Sequence, residues 1–563
     1  MAAAPTASDE PGPPGLPGSV PELLSRRRAQ PDGEFLVTDD ERLSFAEADA
    51  QSRKLADALL ASGVGKGTRV GILFPNCAQW LIAWLAAARI GALTVPLSTF
   101  APGAELARLL RHTDTQVLLM GRSIAGRDLV TRVADALPGL ADGDAAIALA
   151  AVPYLRRVHV WPGSDQAWTT PWPGSTGPVA PLTGSAEQEV RPADELVLVT
   201  TSGTTALPKS VAHTHGSLVR HAAILAHHRG VTATDRIYSP MPFFWVGGLT
   251  MVVLQALSTG AAILAQDVFD AGATLALLER ERATFISCWA QASQAMADHP
   301  DFAKRDLSSV RGGTMLEALP PERRPSEPEL TPNLLGMTET GGPHTMVEVP
   351  DTPLPAERRG SFGIPLPGLV QHRIVDTAGV QMPPGQEGEI QVRGQILMSG
   401  IYKQERHEVF TADGWYDTGD RGWFDDAGHL HFTGRASALI KTAGSNVSPA
   451  EVESVLDAMP GVLHSFVVAL PHPVRGEVVA AAVVPAHGAP LSTEAVAVHA
   501  RANLSGFKVP TVITVLAESD LPMLPTGKVD RQGLVRLLAA DRLRRDQGVT
   551  RKESHGFHSL PSD

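Results

Sequence analysis

Thr200-Thr201-Ser202-Gly203-Thr204-Thr205-Ala206-Leu207-Pro208-Lys209 is the stretch on which the reading of this 563-residue chain turns. It is a run of glycine and hydroxyl residues ending on one lysine. Such a loop can point backbone N–H groups and hydroxyls at phosphate oxygens, and the lysine adds a point charge. The G-x-x-x-x-G-K-[ST] spacing of a Walker A loop is absent. Taken alone, the run reads equally well as a flexible surface turn. Glu195 to Thr200, just before it, predicts a strand that delivers the turn.

Working outward, the chain alternates helical and strand patterns. From Leu43, the residues Phe45, Ala48, Leu55, Ala56, Ala58 and Leu59 recur at helical spacing. Arg69 to Phe74 predicts a short buried strand, Ala78 to about Arg89 a helix, and Leu93 to Leu97 the next strand. This alternation predicts an α/β domain with a largely parallel sheet. Pro162 to Ser185 is dense in Pro, Gly, Ser and Thr and reads as a surface loop or linker. Near Gly434 the character changes to a compact α+β set that ends near Leu538. The expected organisation is a disordered tail over 1–19, a large domain over 20–433, a small domain over 434–540 and a disordered tail over 541–563. No internal repeat is visible.

Length alone asks for at least two domains. The net charge of −12 disfavours non-specific nucleic-acid binding, which needs clustered basic surface. The two cysteines, Cys77 and Cys288, are far apart and suggest neither a disulfide framework nor a zinc site. The first residues lack the basic start and apolar core of a secretory signal, and no apolar run is long enough to cross a bilayer. The expectation is a cytoplasmic protein with no transmembrane segment, and a homodimer is left open.

The phosphate-loop run does not stand alone. Gly312-Gly313-Thr314 follows it, then Gly336-Met337-Thr338-Glu339-Thr340, Tyr416-Asp417-Thr418-Gly419-Asp420 and Gly434-Arg435. After these come Lys441-Thr442-Ala443-Gly444-Ser445-Asn446-Val447-Ser448-Pro449-Ala450-Glu451-Val452-Glu453 and, last, Pro525-Thr526-Gly527-Lys528. This ordered set, over roughly Leu43 to Leu538, resembles the adenylate-forming superfamily of acyl-CoA synthetases, luciferases and peptide-synthetase adenylation domains. The resemblance implies an acyl-CoA synthetase-like fold: a large N-terminal α/β domain of several subdomains and a small mobile C-terminal α+β domain. It implies an ATP-dependent acid–thiol ligase that makes acyl-AMP, releases pyrophosphate and passes the acyl group to coenzyme A.

The resemblance also assigns tasks. Thr201, Ser202, Gly203, Thr204, Thr205 and Lys209 would cradle the β- and γ-phosphates, and Gly312, Gly313 and Thr314 would contact adenine. Gly336 and Met337 belong to the next nucleotide-binding motif, where Thr338 would donate to the α-phosphate. Glu339 would hold Mg²⁺, since one carboxylate with phosphate oxygens and waters is a normal magnesium shell. Asp420 and Arg435 would reach the ribose. Lys528 would bridge the substrate carboxylate and the α-phosphate, placing a cation between two anions that must meet. Lys441 and Gly444 would serve CoA, with Gly444 lining the pantetheine tunnel; a turn glycine with φ > 0 is its plain alternative.

Five positions depart from the family pattern. Ala206 and Ser210 stand where glycine is usual, and a left-handed backbone there would cost roughly 1–2 kcal/mol. Leu335 replaces an aromatic that stacks on adenine, and Ala438 replaces a charged hinge residue. Trp245, in Pro242-Phe243-Phe244-Trp245-Val246-Gly247-Gly248, replaces a frequent His. With Phe244, Gly248, Trp289, Met337, Gly342, Pro343 and His344 it is expected to line the acyl site, though a core aromatic is the competing reading. These residues favour a fatty or aryl acid over a charged one. Phe243 to Leu249 contains no acid to pair with an ammonium, which argues against an α-amino acid. Two alternatives remain: an acyl-AMP ligase that loads a carrier protein, and a nucleotide-binding member that no longer catalyses.

Overall fold

The computed structural model describes residues 15–29, 32–124, 126–174, 180–201, 209–347, 352–435, 439–486, 489–523 and 529–553. The chain is mixed α/β. Apart from short segments, it divides into a large unit running to Ala436 and a small one beginning at Ser437.

The large unit holds three main sheets. The seven-stranded sheet has the order Gly400–Ile401, Lys209–Thr214, Glu195–Thr201, Leu93–Pro96, Arg69–Leu73, Val117–Gly121 and Arg157–Trp161. From Glu195–Thr201 to Arg157–Trp161 its neighbours run parallel, as the βα alternation predicts. Lys209–Thr214 and Gly400–Ile401 close the other side antiparallel. A six-stranded sheet, parallel except for its Arg42–Ser44 edge, ends on Gly312–Gly313. A four-stranded antiparallel sheet joins Val370–Val375, Gly388–Gly394, Tyr416–Phe424 and Leu430–Arg435.

The helix Ala78–Ala88 is apolar on every side and buried along its length, with Trp80 and Trp84 at its centre. A helix with no polar face has to be enclosed, and this one is part of the main apolar core. The preceding long helix starts at Phe45 rather than at Leu43. Leu43 belongs to the Arg42–Ser44 strand, and Ser44 and Glu47 form a reciprocal cap that sets the first turn.

The small unit folds around the long hairpin Val462–His472 and Gly476–Pro485. Val512–Val515 adds in parallel, and the Ile440–Thr442/Ser445–Val447 hairpin extends the other edge. Helices Pro449–Asp457, Thr493–Asn503 and Arg531–Glu553 complete it.

Four details differ from the sequence expectation. Gly434 and Arg435 finish a strand of the large unit, opposite Arg421 and Asp420. Ser19 is buried and caps the helix Val20–Arg27, so order begins before residue 20; residues 1–14 lie outside the described residues. Thr183 to Ser185 open a helix to Glu189 rather than ending a linker. The last helix continues past Asp541 to Glu553 where a disordered tail was expected. Its Leu534 and Leu538 are buried.

Candidate active site

The Glu195–Thr201 and Lys209–Thr214 strands pair antiparallel, with Thr201 opposite Lys209 and Thr200 opposite Ser210. Ser202, Gly203, Thr204, Thr205 and Ala206 fall between these strands and lie outside the described residues. Ser210 is a strand residue with no left-handed backbone, and its hydroxyl meets that of Thr200 at 3.1 Å. A side chain at this usually-glycine position therefore carries no strain.

Strand alternation puts Lys209, Val211 and His213 on one face. All three meet the segment that carries Thr338 and Glu339. The Lys209 ammonium pairs with the Glu339 carboxylate and donates to the Tyr416 hydroxyl at 3.0 Å. Tyr416 in turn donates to Glu339 Oε1 at 3.3 Å, and the ammonium lies 5.3 Å from the Tyr416 ring centroid. Val211 packs in one apolar cluster with Leu335 and Met337. His213 Nε2 lies 2.7 Å from the Thr338 carbonyl oxygen. A carbonyl can only accept, so Nε2 carries the proton and His213 is the donor.

Two further imidazole contacts hold the same segment. His221, on the helix His215–His228, donates through Nε2 to the Pro343 carbonyl at 2.6 Å. His344 Nδ1 and His372 Nε2 share one hydrogen bond at 2.7 Å. All four rings are buried, which disfavours the charged imidazolium. Burial pushes His213 and His221 down to about 4 and His372 to about 3, and holds His344 well below its ordinary value. The sequence reading missed His213, His221 and His372. The available signal was a histidine two places from Val211 in a strand whose other residues are apolar or bonded. His344 was expected at the acyl site; its fully buried ring is spent on His372.

Thr338 to Thr340 form a single tight turn, closed by the Thr340 hydroxyl donating to the Gly342 carbonyl at 2.7 Å. Gly336 and Met337 pair with Gly342 and Pro343 in a short antiparallel ribbon. Leu335 donates its N–H to Thr345 Oγ1 at 2.8 Å and accepts from the His344 N–H at 2.8 Å.

Gly312 and Gly313 pair in parallel with Phe285 and Ile286. Thr314 then bonds Cys288 twice, accepting from its N–H at 2.8 Å and donating to its carbonyl at 2.5 Å. That ties the Gly312–Thr314 turn to Trp289, the next residue. The Trp289 and Trp245 ring centroids are 5.7 Å apart, and Phe244 packs edge-on to Trp245 at 6.2 Å. Both indoles are partly exposed, whereas Phe243 is buried against Trp80. Asn76 fixes this loop by donating to the Met241 carbonyl and accepting from the Phe243 N–H. Gly248 is set by close approach, since a Cβ there would lie 2.0 Å from the Pro242 carbonyl oxygen. A π-helical turn, Leu249–Leu254, follows at once.

Asp420 is buried in the four-stranded sheet, directly opposite Arg435, and its N–H donates to Thr418 Oγ1 at 3.1 Å. In the small unit, Lys441 and Gly444 sit on the Ile440–Val447 hairpin. Its two-residue turn, Ala443-Gly444, has φ of 49° and 81°, the doubly left-handed geometry of a tight hairpin. Gly444 thus has a backbone reason to be glycine. Lys528 and Ala438 lie outside the described residues.

A magnesium ion fits the donor set only as a nucleotide-borne ion. Glu339 supplies one largely buried carboxylate beside Thr338, and among the described residues no group of three His, Cys, Asp or Glu could cage a metal.

The family described as AMP-binding enzyme matches residues 24–402, and the AMP-binding enzyme C-terminal domain matches 451–528. Feruloyl-CoA synthase of an Amycolatopsis species is 31% identical over 91% of this chain and 97% of its own length. Indoleacetate–CoA ligase of Aromatoleum aromaticum is 31% identical over 92% of this chain and 98% of its own. Among solved structures, amide bond synthetase McbA from Marinactinospora thermotolerans superposes with a TM-score of 0.73 at 26% identity, covering 92% of this chain and 99% of that one. With both family segments matched in order on this fold, the chain belongs to the AMP-binding enzymes of the adenylate-forming superfamily.

Proposed function

We propose that this protein is an AMP-forming acid–CoA ligase for a fatty or aryl acid. The observation that carries the reading is the meeting of Lys209, Glu339 and Tyr416 beside Thr338, from three segments remote in sequence. The reaction has two steps. A carboxylate oxygen attacks the α-phosphorus of ATP, and pyrophosphate leaves with the bridging oxygen. The CoA thiolate then attacks the acyl carbon, and the bond to AMP breaks.

In the first step, three phosphates and a carboxylate must approach one another. Lys209 and the Thr201–Thr205 loop neutralise and orient the outer phosphates, and the Thr338 hydroxyl donates to the α-phosphate. Glu339 would hold a magnesium ion brought by the nucleotide, which would supply further neutralisation when bound. Tyr416 orients the Glu339 carboxylate through its hydroxyl. Gly312, Gly313 and Thr314 hold adenine, and Asp420 and Arg435 hold the ribose. Lys528 supplies the cation between the two reacting anions. Lys441 and Gly444 serve the CoA step.

Phe244, Trp245 and Trp289 form the apolar wall for the acid. The feruloyl- and indoleacetate-CoA relatives support an aromatic or similarly bulky acyl group. Two free cysteines, one buried and one partly so, and the lack among the described residues of a helix long and apolar enough to cross a membrane support a cytoplasmic setting. The test is acid-dependent exchange of labelled pyrophosphate into ATP over a panel of aryl, aliphatic and amino acids. Exchange with aryl or aliphatic acids is expected, and none with any acid contradicts the reading.

A further inference from the structure

We infer that His213 is a positioning residue for the nucleotide-contacting turn, gripping the Thr338 backbone while Lys209, on the same strand face, grips the Glu339 side chain. The inference rests on the reading that Thr338 and Glu339 serve the nucleotide, and it adds a residue outside every motif used for that reading.

Lys209 and His213 lie four residues apart on the Lys209–Thr214 strand, so both project from one side. One contacts the Glu339 carboxylate and the other the Thr338 carbonyl. Consecutive residues of one tight turn are therefore held at two points by a single strand. The strand itself is pinned by six paired residues to Glu195–Thr201.

The far end of the same segment is held by His221 on Pro343. The two imidazoles flank Gly341: a Cβ there would lie 3.4 Å from His221 Nδ1 and 3.6 Å from His213 Cε1. Met398 N–H adds one bond to the Glu339 carbonyl at 2.8 Å. The Thr338 hydroxyl and Glu339 carboxylate are thus presented from a backbone fixed on both sides. Placing donors before the reaction, so that they need not reorganise during it, is how such groups lower a barrier.

The Nδ1 of His213 is buried with no hydrogen-bond partner among the described residues. A leucine of similar volume would serve packing better, because it leaves no such atom. Among the described residues, the one hydrogen bond the ring makes is that to the Thr338 carbonyl.

The experiment compares His213→Leu with His213→Gln, whose amide N–H can reach the same carbonyl. Steady-state pyrophosphate exchange and thermal midpoint are measured on both and on the unaltered protein. The Leu variant leaves a buried carbonyl without a donor, and kcat should fall about tenfold to a hundredfold with the KM for the acid unmoved. The Gln variant should recover to within about threefold of the unaltered protein, because it restores the donor. An unchanged kcat in the Leu variant overturns the inference. So does an equal loss in both variants that follows the thermal midpoint, which is the signature of packing alone. No exchange by the unaltered protein with any acid overturns instead the functional reading on which the inference rests.

Discussion

Lys209 and Glu339, 130 residues apart in the chain, form an ion pair whose carboxylate also accepts from Tyr416. The side chains are 20% and 11% exposed, so neither charge is fully solvated and neither is sealed from a ligand. In the absence of nucleotide, each charge keeps the other compensated. Under the proposed function, incoming phosphates would give the lysine a second partner and leave the carboxylate a place for a cation.

Glu339→Gln removes the charge and keeps the shape. It should reduce adenylate formation by about 10²–10³, the typical cost of losing one preorganised electrostatic contact, and raise the magnesium concentration needed for half-maximal exchange. Lys209→Ala should raise the KM for ATP. Pyrophosphate exchange titrated with magnesium checks both, and an unshifted magnesium dependence in Glu339→Gln counts against its role.

The Trp245 and Trp289 ring centroids lie 5.7 Å apart, the rings tilted by 44°, so either can be cut back with the other left as a wall. Trp245→Ala should shift preference toward longer or bulkier acids, with up to about 0.8 kcal/mol gained for each newly buried methylene. Relative kcat/KM over an acid series reads the shift. The same profile in Trp245→Ala and Trp289→Ala as in the unaltered protein removes the indoles from the acid site.

The buried histidines make a pH prediction. His213 and His221 have folded values of about 4, below the ordinary imidazole value of 6.5. Between those limits the unfolded chain binds more protons than the folded one, so stability rises with pH. The contribution is complete above about pH 6.5 and is lost as pH falls toward 4, by an amount on the order of a few kcal/mol. Urea midpoints at pH 7.5 and pH 5 should fall in that order, and His213→Gln should flatten the slope. Equal midpoints at both pH values contradict the burial argument.

The proposed function gives Lys528 and Gly444 different steps. Lys528→Ala should nearly abolish acyl-adenylate formation yet convert supplied acyl-AMP to thioester, because AMP is already a good leaving group. Gly444→Trp should release pyrophosphate and make little thioester. The left-handed backbone at Gly444 strains any side chain, so that variant is read only where its thermal midpoint is retained. Single-turnover assays of each step decide; equal loss of both steps in Lys528→Ala refutes the division.

The parallel sheet, the enclosed Ala78–Ala88 helix and the small second unit were legible because each has a local signature: apolar runs at strand length, apolarity on every side, a shift in composition. The motif order placed Lys209 and Glu339 in one site before any geometry. The strand after the phosphate loop was not legible, since Lys209-Ser210-Val211-Ala212-His213 has no clear alternation. Tyr416 looked like motif context, and its bond to Glu339 depends on a fold-level meeting of remote segments. The histidines looked like ordinary polar residues, because burial and a carbonyl partner are invisible until the chain is folded. At Ser210 the cost that a left-handed backbone would bring does not arise, because the position is strand rather than turn.

The most direct measurement follows the carboxylate oxygen. The acid is supplied with ¹⁸O in both carboxyl positions, with ATP and CoA, and the products are weighed by mass spectrometry. Attack on the α-phosphorus predicts one ¹⁸O in AMP for each acyl-CoA formed, with unlabelled pyrophosphate. Label in inorganic phosphate accompanied by ADP, or acyl-CoA formed with unlabelled AMP, would contradict the acyl-adenylate route.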